Sequence, residues 1–180
     1  FDHDWTHNPE SPLSSLYLDT WHHHDSIVLV GDAAHAMLPF HGQGMNCAFE
    51  DCMALVESIE QQDSWAEAIA AFESQRMDNA AAIQAMALEN YVEMRDKVDD
   101  AQFLLQRALE RRLAELHPER FVPRYSMVSF QRIGYATAFA RGKIQRQILQ
   151  TLTEGKSDIA DVDFVLASEL ILKNLSPLHA

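Results

Sequence analysis

Along "NPESPLSSLYLDTW" (8–21) apolar and polar residues alternate, with Leu16 and Leu18 on one side, the period of a half-buried strand. The unbroken β-branched run "SIVLV" (26–30) predicts a second strand, covered on both faces. From about Met45 the spacing becomes helical and stays so to about Ile59, where "QQDSW" interrupts it. Ser64 and Glu67 have the S-x-x-E spacing of a capping box, and the helix they open runs from Trp65 to about Val98 with few breakers. Further helices are expected over roughly 101–116, stopped by Pro118 and Pro123, over 131–153, ended before Gly155, and over 161–175. The expected fold is mostly α, with a small β portion confined to the first thirty residues. Two strands make a marginal sheet. Partner strands are therefore expected upstream of Phe1, where the chain opens without a methionine in what reads as running sequence.

Composition narrows the partners. Fourteen basic against 27 acidic residues leave a net charge of −13, which excludes nucleic acid and anionic membranes as general partners. Arg132, Arg141, Lys143 and Arg146 are spread along a helical pattern and read as a solvated face. The apolar stretch "FVLASELILKNL" is broken by Glu169, and no run approaches the ~20 residues that span a bilayer. Cys47 and Cys52 point apart on a helix, so free, buried and inert thiols in a reducing cytoplasm are expected. The 180 residues amount to about one ordinary domain.

Candidate chemistry concentrates in "GDAAHAMLPFHGQGMN" (31–46), between the second strand and the first long helix. Asp32 stands at a strand's carboxyl end, where open α/β sheets place ligands, and an ionised carboxylate accepts from hydroxyl donors. Gly42 and Gly44 let backbone approach a flat group without a Cβ in the way. The N–H groups of Gly44, Met45 and Asn46 open the helix and favour negative charge. Together they suit a ligand with hydroxyls at one end and an anionic ring at the other, a description that a reduced flavin meets. "WHHHD" (21–25) reads as a surface turn and not a metal site, because neighbouring residues of an extended segment diverge. His35 reads as structural, and Glu50 and Asp51 as acids that suit the helix start and need no other role.

"GDAAHAMLPFHGQGMNCAFED" (31–51) resembles the second flavin-binding signature of the FAD-dependent aromatic hydroxylases, the single-component flavoprotein monooxygenases. The resemblance implies that Asp32 binds the ribityl hydroxyls, that the backbone of Gly44, Met45 and Asn46 meets the flavin's pyrimidine edge, and that Gly31 belongs to the same cofactor-binding set. "NYVEMRD" (90–96) and "RYSMVSF" (124–130) resemble the kynurenine-hydroxylating branch of that family. That branch implies Asn90 and Tyr125 at the amino-acid end of L-kynurenine, Met94 along the pocket, and Phe40 and His41 facing the aromatic ring. Taken alone, Asn90 and Met94 share a helical face, Met94 reads as a core residue and Tyr125 as a half-buried packing residue.

The implied protein is an α/β flavin hydroxylase of which this chain is a C-terminal portion. Residues 1–60 would end the FAD and substrate domain, and the helical 61–180 would cover the substrate pocket, its last helices as a movable lid. FAD is the implied cofactor, with NADPH and O2 as co-substrates, and L-kynurenine becomes 3-hydroxykynurenine in tryptophan degradation. No catalytic acid or base and no metal are expected, because the chemistry belongs to the flavin. The glycine-rich βαβ unit that holds the ADP half of FAD is not in this sequence, so the chain alone is expected to be inactive. Two rivals stand beside this reading: a related hydroxylase acting on a phenol, and a non-enzymatic helical interaction module.

Overall fold

The computed structural model describes residues 2–9 and 11–178. The chain divides into two compact units, Phe1–Glu73 and Ser74–Ala180.

The first unit opens with a short helix, α1 (Asp2–His7), which buries no residue. The alternating stretch that follows forms no strand among the described residues, and Leu13, Leu16 and Tyr17 are exposed. The Leu16 N–H donates to the Ala36 carbonyl at 2.9 Å, which falls short of the ladder of bonds a strand needs. The sheet is a two-stranded antiparallel hairpin, β1 (His22–His23) and β2 (Ile27–Val28), with His22 opposite Val28 and His23 opposite Ile27. His24 takes the left-handed conformation, φ 52°, that its tight turn demands. The expected strand 26–30 is thus reduced to two residues, and Ile27 is exposed where coverage on both faces was anticipated.

Glu73 ties this hairpin down. Its carboxylate accepts the Trp21 N–H at 2.6 Å, His22 Nδ1 at 2.8 Å and the Thr20 hydroxyl at 3.1 Å. Partial burial works against its charge, but these donors outweigh the burial and hold the carboxyl below its usual range. Trp21, fully enclosed, packs its ring against His35 and Phe72.

The loop 31–43 is more ordered than its glycines suggest. It holds a four-residue helix, α2 (Asp32–His35), and a 3₁₀ turn over Pro39–His41 closed by Gly42 at φ 69°. The helix α3 (Gly44–Gln61) follows, within two residues of the expected bounds. It buries Cys47, Asp51, Ala54 and Ser58, one side of the helix, while Met45, Phe49, Met53 and Val56 stand exposed on another.

The helix α4 (Trp65–Asp96) starts at the expected capping box: the Ser64 hydroxyl accepts the Glu67 N–H at 3.3 Å and donates to the Glu67 carboxylate at 2.9 Å. In the second unit, α5 (Ala101–Leu116), α7 (Tyr135–Thr153) and α8 (Phe164–Asn174) enclose the core. Leu105, Leu109 and Leu113 recur at four-residue spacing along α5, and the last two join Phe121, Ile148, Leu152 and Ile171 in one buried cluster. Asp100 caps α5 by accepting the Phe103 N–H, and Asp163 caps α8 by accepting from Val165 and Leu166. Gly155, φ 69°, ends α7 as expected.

Two features of this unit depart from expectation. The helix expected over 131–153 is present as α7, starting at Tyr135, but a separate seven-residue helix, α6 (Arg124–Phe130), precedes it where none was expected. The expected solvated basic face holds only in part: Arg132 and Lys143 are exposed, but Arg146 is half-buried. Arg141 is buried and donates to the Arg120 carbonyl at 2.7 Å and the Ser176 carbonyl at 2.9 Å, which fastens the C-terminal segment.

Candidate functional site

Gly31 has φ 61° and ψ −140°, a region open only to glycine, and a Cβ there would stand 3.1 Å from the Ala48 Cβ of α3. Glycine thus lets the chain turn tightly against α3 just before Asp32. Asp32 begins α2, exposed, and its carboxylate has no hydrogen-bond or ion-pair partner among the described residues. A few residues on, Gly42 faces open space, with nothing within 4 Å of a built Cβ. The first intrahelical bond of α3 is donated by Cys47 to the Gln43 carbonyl. No side chain caps the helix start, so the N–H groups of Gly44, Met45 and Asn46 point out unused, with Met45 and Asn46 exposed. The Asn46 amide is steadied by donating to Gln43 Oε1 at 2.9 Å.

Beneath this loop lies a polar cluster that sequence reasoning missed. Asp51, with no exposed surface, accepts the Gly31 N–H at 3.0 Å and His35 Nε2–H at 2.5 Å. Its expected lack of a role beyond the helix start is therefore corrected: Asp51 bolts α3 to the turn that presents Asp32. Cys47 Sγ lies 3.9 Å from the same imidazole nitrogen. Burial disfavours a charged His35, but Asp51, with Cys47 beside it, outweighs burial and pushes its pKa up to about 10. His35, Cys47 and Asp51 place metal-binding atoms within 4.8 Å of one another. An N···O separation of 2.5 Å is a hydrogen bond, too short for two ligands sharing one ion at ~2 Å each, so the geometry is that of an ion pair. The sequence does carry a trace of this role. Asp51 falls four residues after Cys47 and three before Ala54, which puts it on the side of α3 that those two residues bury.

The two cysteines are free. Cys47 is buried as expected, but Cys52 is exposed, being one position past Asp51 on the helix. Of the two residues expected near the aromatic ring, His41 is buried and Phe40 half-buried in the 3₁₀ turn.

The remaining expected residues belong to the second unit. Asn90 is half-buried near the end of α4, and Met94, one turn later, is 58% exposed and not a core residue. Tyr125 is 55% exposed on α6, its ring edge-on to Phe130 at 6.0 Å. An open polar cleft of about 570 Å³, lined by Gln102, Gln106, Gln147, Gln150, Thr151 and Glu154, contains none of these residues.

The loop offers an acceptor carboxylate, open glycine backbone and unused N–H groups, and comparison with known proteins shows what the chain that carries it is similar to. Residues 3–87 match the FAD binding domain family. The chain is also similar, over nearly its whole length, to proteins named kynurenine 3-monooxygenase. The relative from Xanthomonas campestris pv. campestris is 55% identical over 97% of this chain. Those from Xanthomonas euvesicatoria pv. vesicatoria and Xanthomonas oryzae pv. oryzae are 54% and 53% identical over the same share. The chain spans 38% of the length of these relatives. No helix among the described residues is long and apolar enough to cross a membrane.

Proposed function

We propose that this chain is the C-terminal part of a flavoprotein monooxygenase that hydroxylates L-kynurenine to 3-hydroxykynurenine with FAD, NADPH and O2, acting in the cytoplasm. The observation that carries this reading is the pairing of an unpartnered Asp32 carboxylate with the uncapped N-terminus of α3 across a glycine-opened loop. A flavin fits that donor and acceptor set: its ribityl hydroxyls suit Asp32, and its pyrimidine edge suits the N–H groups of Gly44, Met45 and Asn46. FAD, when bound, supplies the redox chemistry that activates O2. The chain's own residues bind and orient. Gly31 presents Asp32, and the positive end of α3 favours negative charge on the ring by about 0.3–1 kcal/mol, more where partly buried.

For the substrate, Phe40 and His41 face the aromatic ring, Met94 supplies an apolar wall, and Asn90 and Tyr125 hold the amino-acid end with an amide and a phenol hydroxyl. Residues 1–60 serve the flavin and ring side, and the helical 61–180 covers the pocket. The support is the similarity to kynurenine 3-monooxygenases over nearly the whole chain, and the one-turn spacing of Asn90 and Met94 on α4. The test uses the complete flavoprotein that carries this chain, comparing NADPH oxidation and product formation with L-kynurenine against hydroxybenzoates. Coupled hydroxylation of kynurenine is expected; coupled turnover of a hydroxybenzoate alone would assign the chain to a phenol hydroxylase.

A further inference from the structure

Asn90 and Tyr125 each have a charged chain neighbour, and the two neighbours meet. Arg124 Nη1 donates to Glu89 Oε2 at 2.5 Å, which links the end of α4 to the start of α6. Arg146 of α7 donates to the same carboxylate oxygen at 2.7 Å and to Glu93 at 3.3 Å. Partial burial opposes the charge on Glu89, but the two guanidinium groups outweigh it and hold its carboxyl below the usual range.

The stem of Arg124 needs room to make this reach, and α7 supplies it at Gly142. A Cβ at that position would stand 2.5 Å from Arg124 Cδ, 3.1 Å from Cγ and 3.3 Å from Cβ. The contact runs along the whole aliphatic stem from Cβ to Cδ, so the stem would have to shift to admit a Cβ. Glycine is a poor residue for a helix interior, and Gly142 does not have a positive φ. Its place in α7 is explained by the passage of Arg124. The helix α6 has only seven residues, follows Pro123 and has no side-chain cap, so its orientation depends on such ties.

We propose that Glu89, Arg124 and Gly142 form a positioning brace that fixes Asn90 on α4 relative to Tyr125 on α6, and thereby sets affinity for the α-amino-acid end of the substrate. The proposal rests on the reading of Asn90 and Tyr125 as substrate residues. In this arrangement the three brace residues act through their neighbours and not by contact with substrate. A displacement near 1 Å in a polar clamp is enough to cost one to two orders of magnitude in productive binding.

The experiment is steady-state kinetics of the complete flavoprotein with L-kynurenine, beside FAD titration and thermal unfolding. Glu89→Ala and Arg124→Ala are expected to raise KM roughly 10-fold, with kcat held within about twofold. Gly142→Ala should raise KM roughly 3- to 10-fold although it improves helix propensity. Arg124→Lys, which keeps the charge, should recover most of the loss. FAD affinity should not move in any of the four. Asn90→Ala and Tyr125→Phe, run in parallel, separate the two levels of the argument. If they raise KM while Gly142→Ala and Glu89→Ala leave it at the parent value, the brace is refuted and the substrate reading stands. If they too leave KM unmoved, the substrate reading fails and the brace with it. A fall in kcat, FAD affinity and melting temperature together would show a merely structural role and also overturn the proposal.

Discussion

A carboxylate with no exposed surface must be matched by donors, and Asp51 is matched by two that belong to the flavin-type loop: the Gly31 N–H and His35. Removing the acid strands both, so Asp51→Ala is expected to destabilise the protein by about 3–5 kcal/mol, measurable by urea unfolding. The pH dependence follows from the sign of the shift. His35 is pushed up to about 10, above its ordinary 6.5, so the pair's contribution is complete below about pH 6.5 and is lost as pH rises through 10. The groups around the imidazole are Asp51, the Cys47 thiol and the Trp21 ring. Glu73 works in the opposite sense: held below its ordinary 4.5, it stabilises the hairpin above that pH and ceases to do so as pH falls through its folded value. Unfolding free energy should therefore decline at both ends of the pH range, and Asp51→Asn should flatten the alkaline limb alone. A separate expectation concerns Asp32, which has no structural partner to lose. Asp32→Ala should weaken FAD binding to the complete flavoprotein by roughly 10-fold or more while leaving the melting temperature nearly unchanged, read by flavin fluorescence during titration.

Helices were the legible elements. A 3.6-residue period sustained over three or more turns, closed by Pro118 and Gly155 and opened by Ser64, located α3, α4, α5 and α7 to within a few residues at most ends. The capping box is local chemistry, so it too was readable: Ser64→Ala should cost about 1 kcal/mol, seen as a small drop in the midpoint of chemical unfolding. Strands were less legible, because alternation along 8–21 records which side chains are apolar and not whether a neighbouring backbone exists to pair with. The helix α6 was hidden behind Pro123, a residue that ends helices but also sits comfortably at their first turn. The arginines of α7 misled for a different reason: a long stem can be buried while its head finds carbonyls, as Arg141 does with Arg120 and Ser176. At the site, Asp32 and the α3 start were readable from residue type and loop position. The Asp51–His35 pair was not, since sixteen residues separate its partners and only the folded loop brings them together.

At the scale of the whole molecule, the governing fact is that the chain spans 38% of the length of its relatives while carrying the loop proposed to meet the flavin. That loop offers one carboxylate and three backbone donors, and if these serve a ring and a polyol, none of them is left for a pyrophosphate or an adenosine. A dinucleotide seated here would need further contacts, of the kind a glycine-rich strand–turn–helix gives pyrophosphate. The helix that supplies the three donors also leaves Met45, Phe49, Met53 and Val56 exposed, an apolar stripe beginning at the residue proposed to meet the ring. A flavin held on this chain alone would keep much of its surface in water, and affinity falls when contacts are few and solvent is not excluded. The 180-residue chain, purified by itself, is therefore expected to show no stoichiometric flavin absorbance and no kynurenine-dependent NADPH oxidation, whereas the complete flavoprotein is expected to show both. Tight one-to-one FAD binding by the isolated chain, seen as a resolved flavin spectrum after gel filtration, would mean that the loop suffices and that the second set of contacts is dispensable.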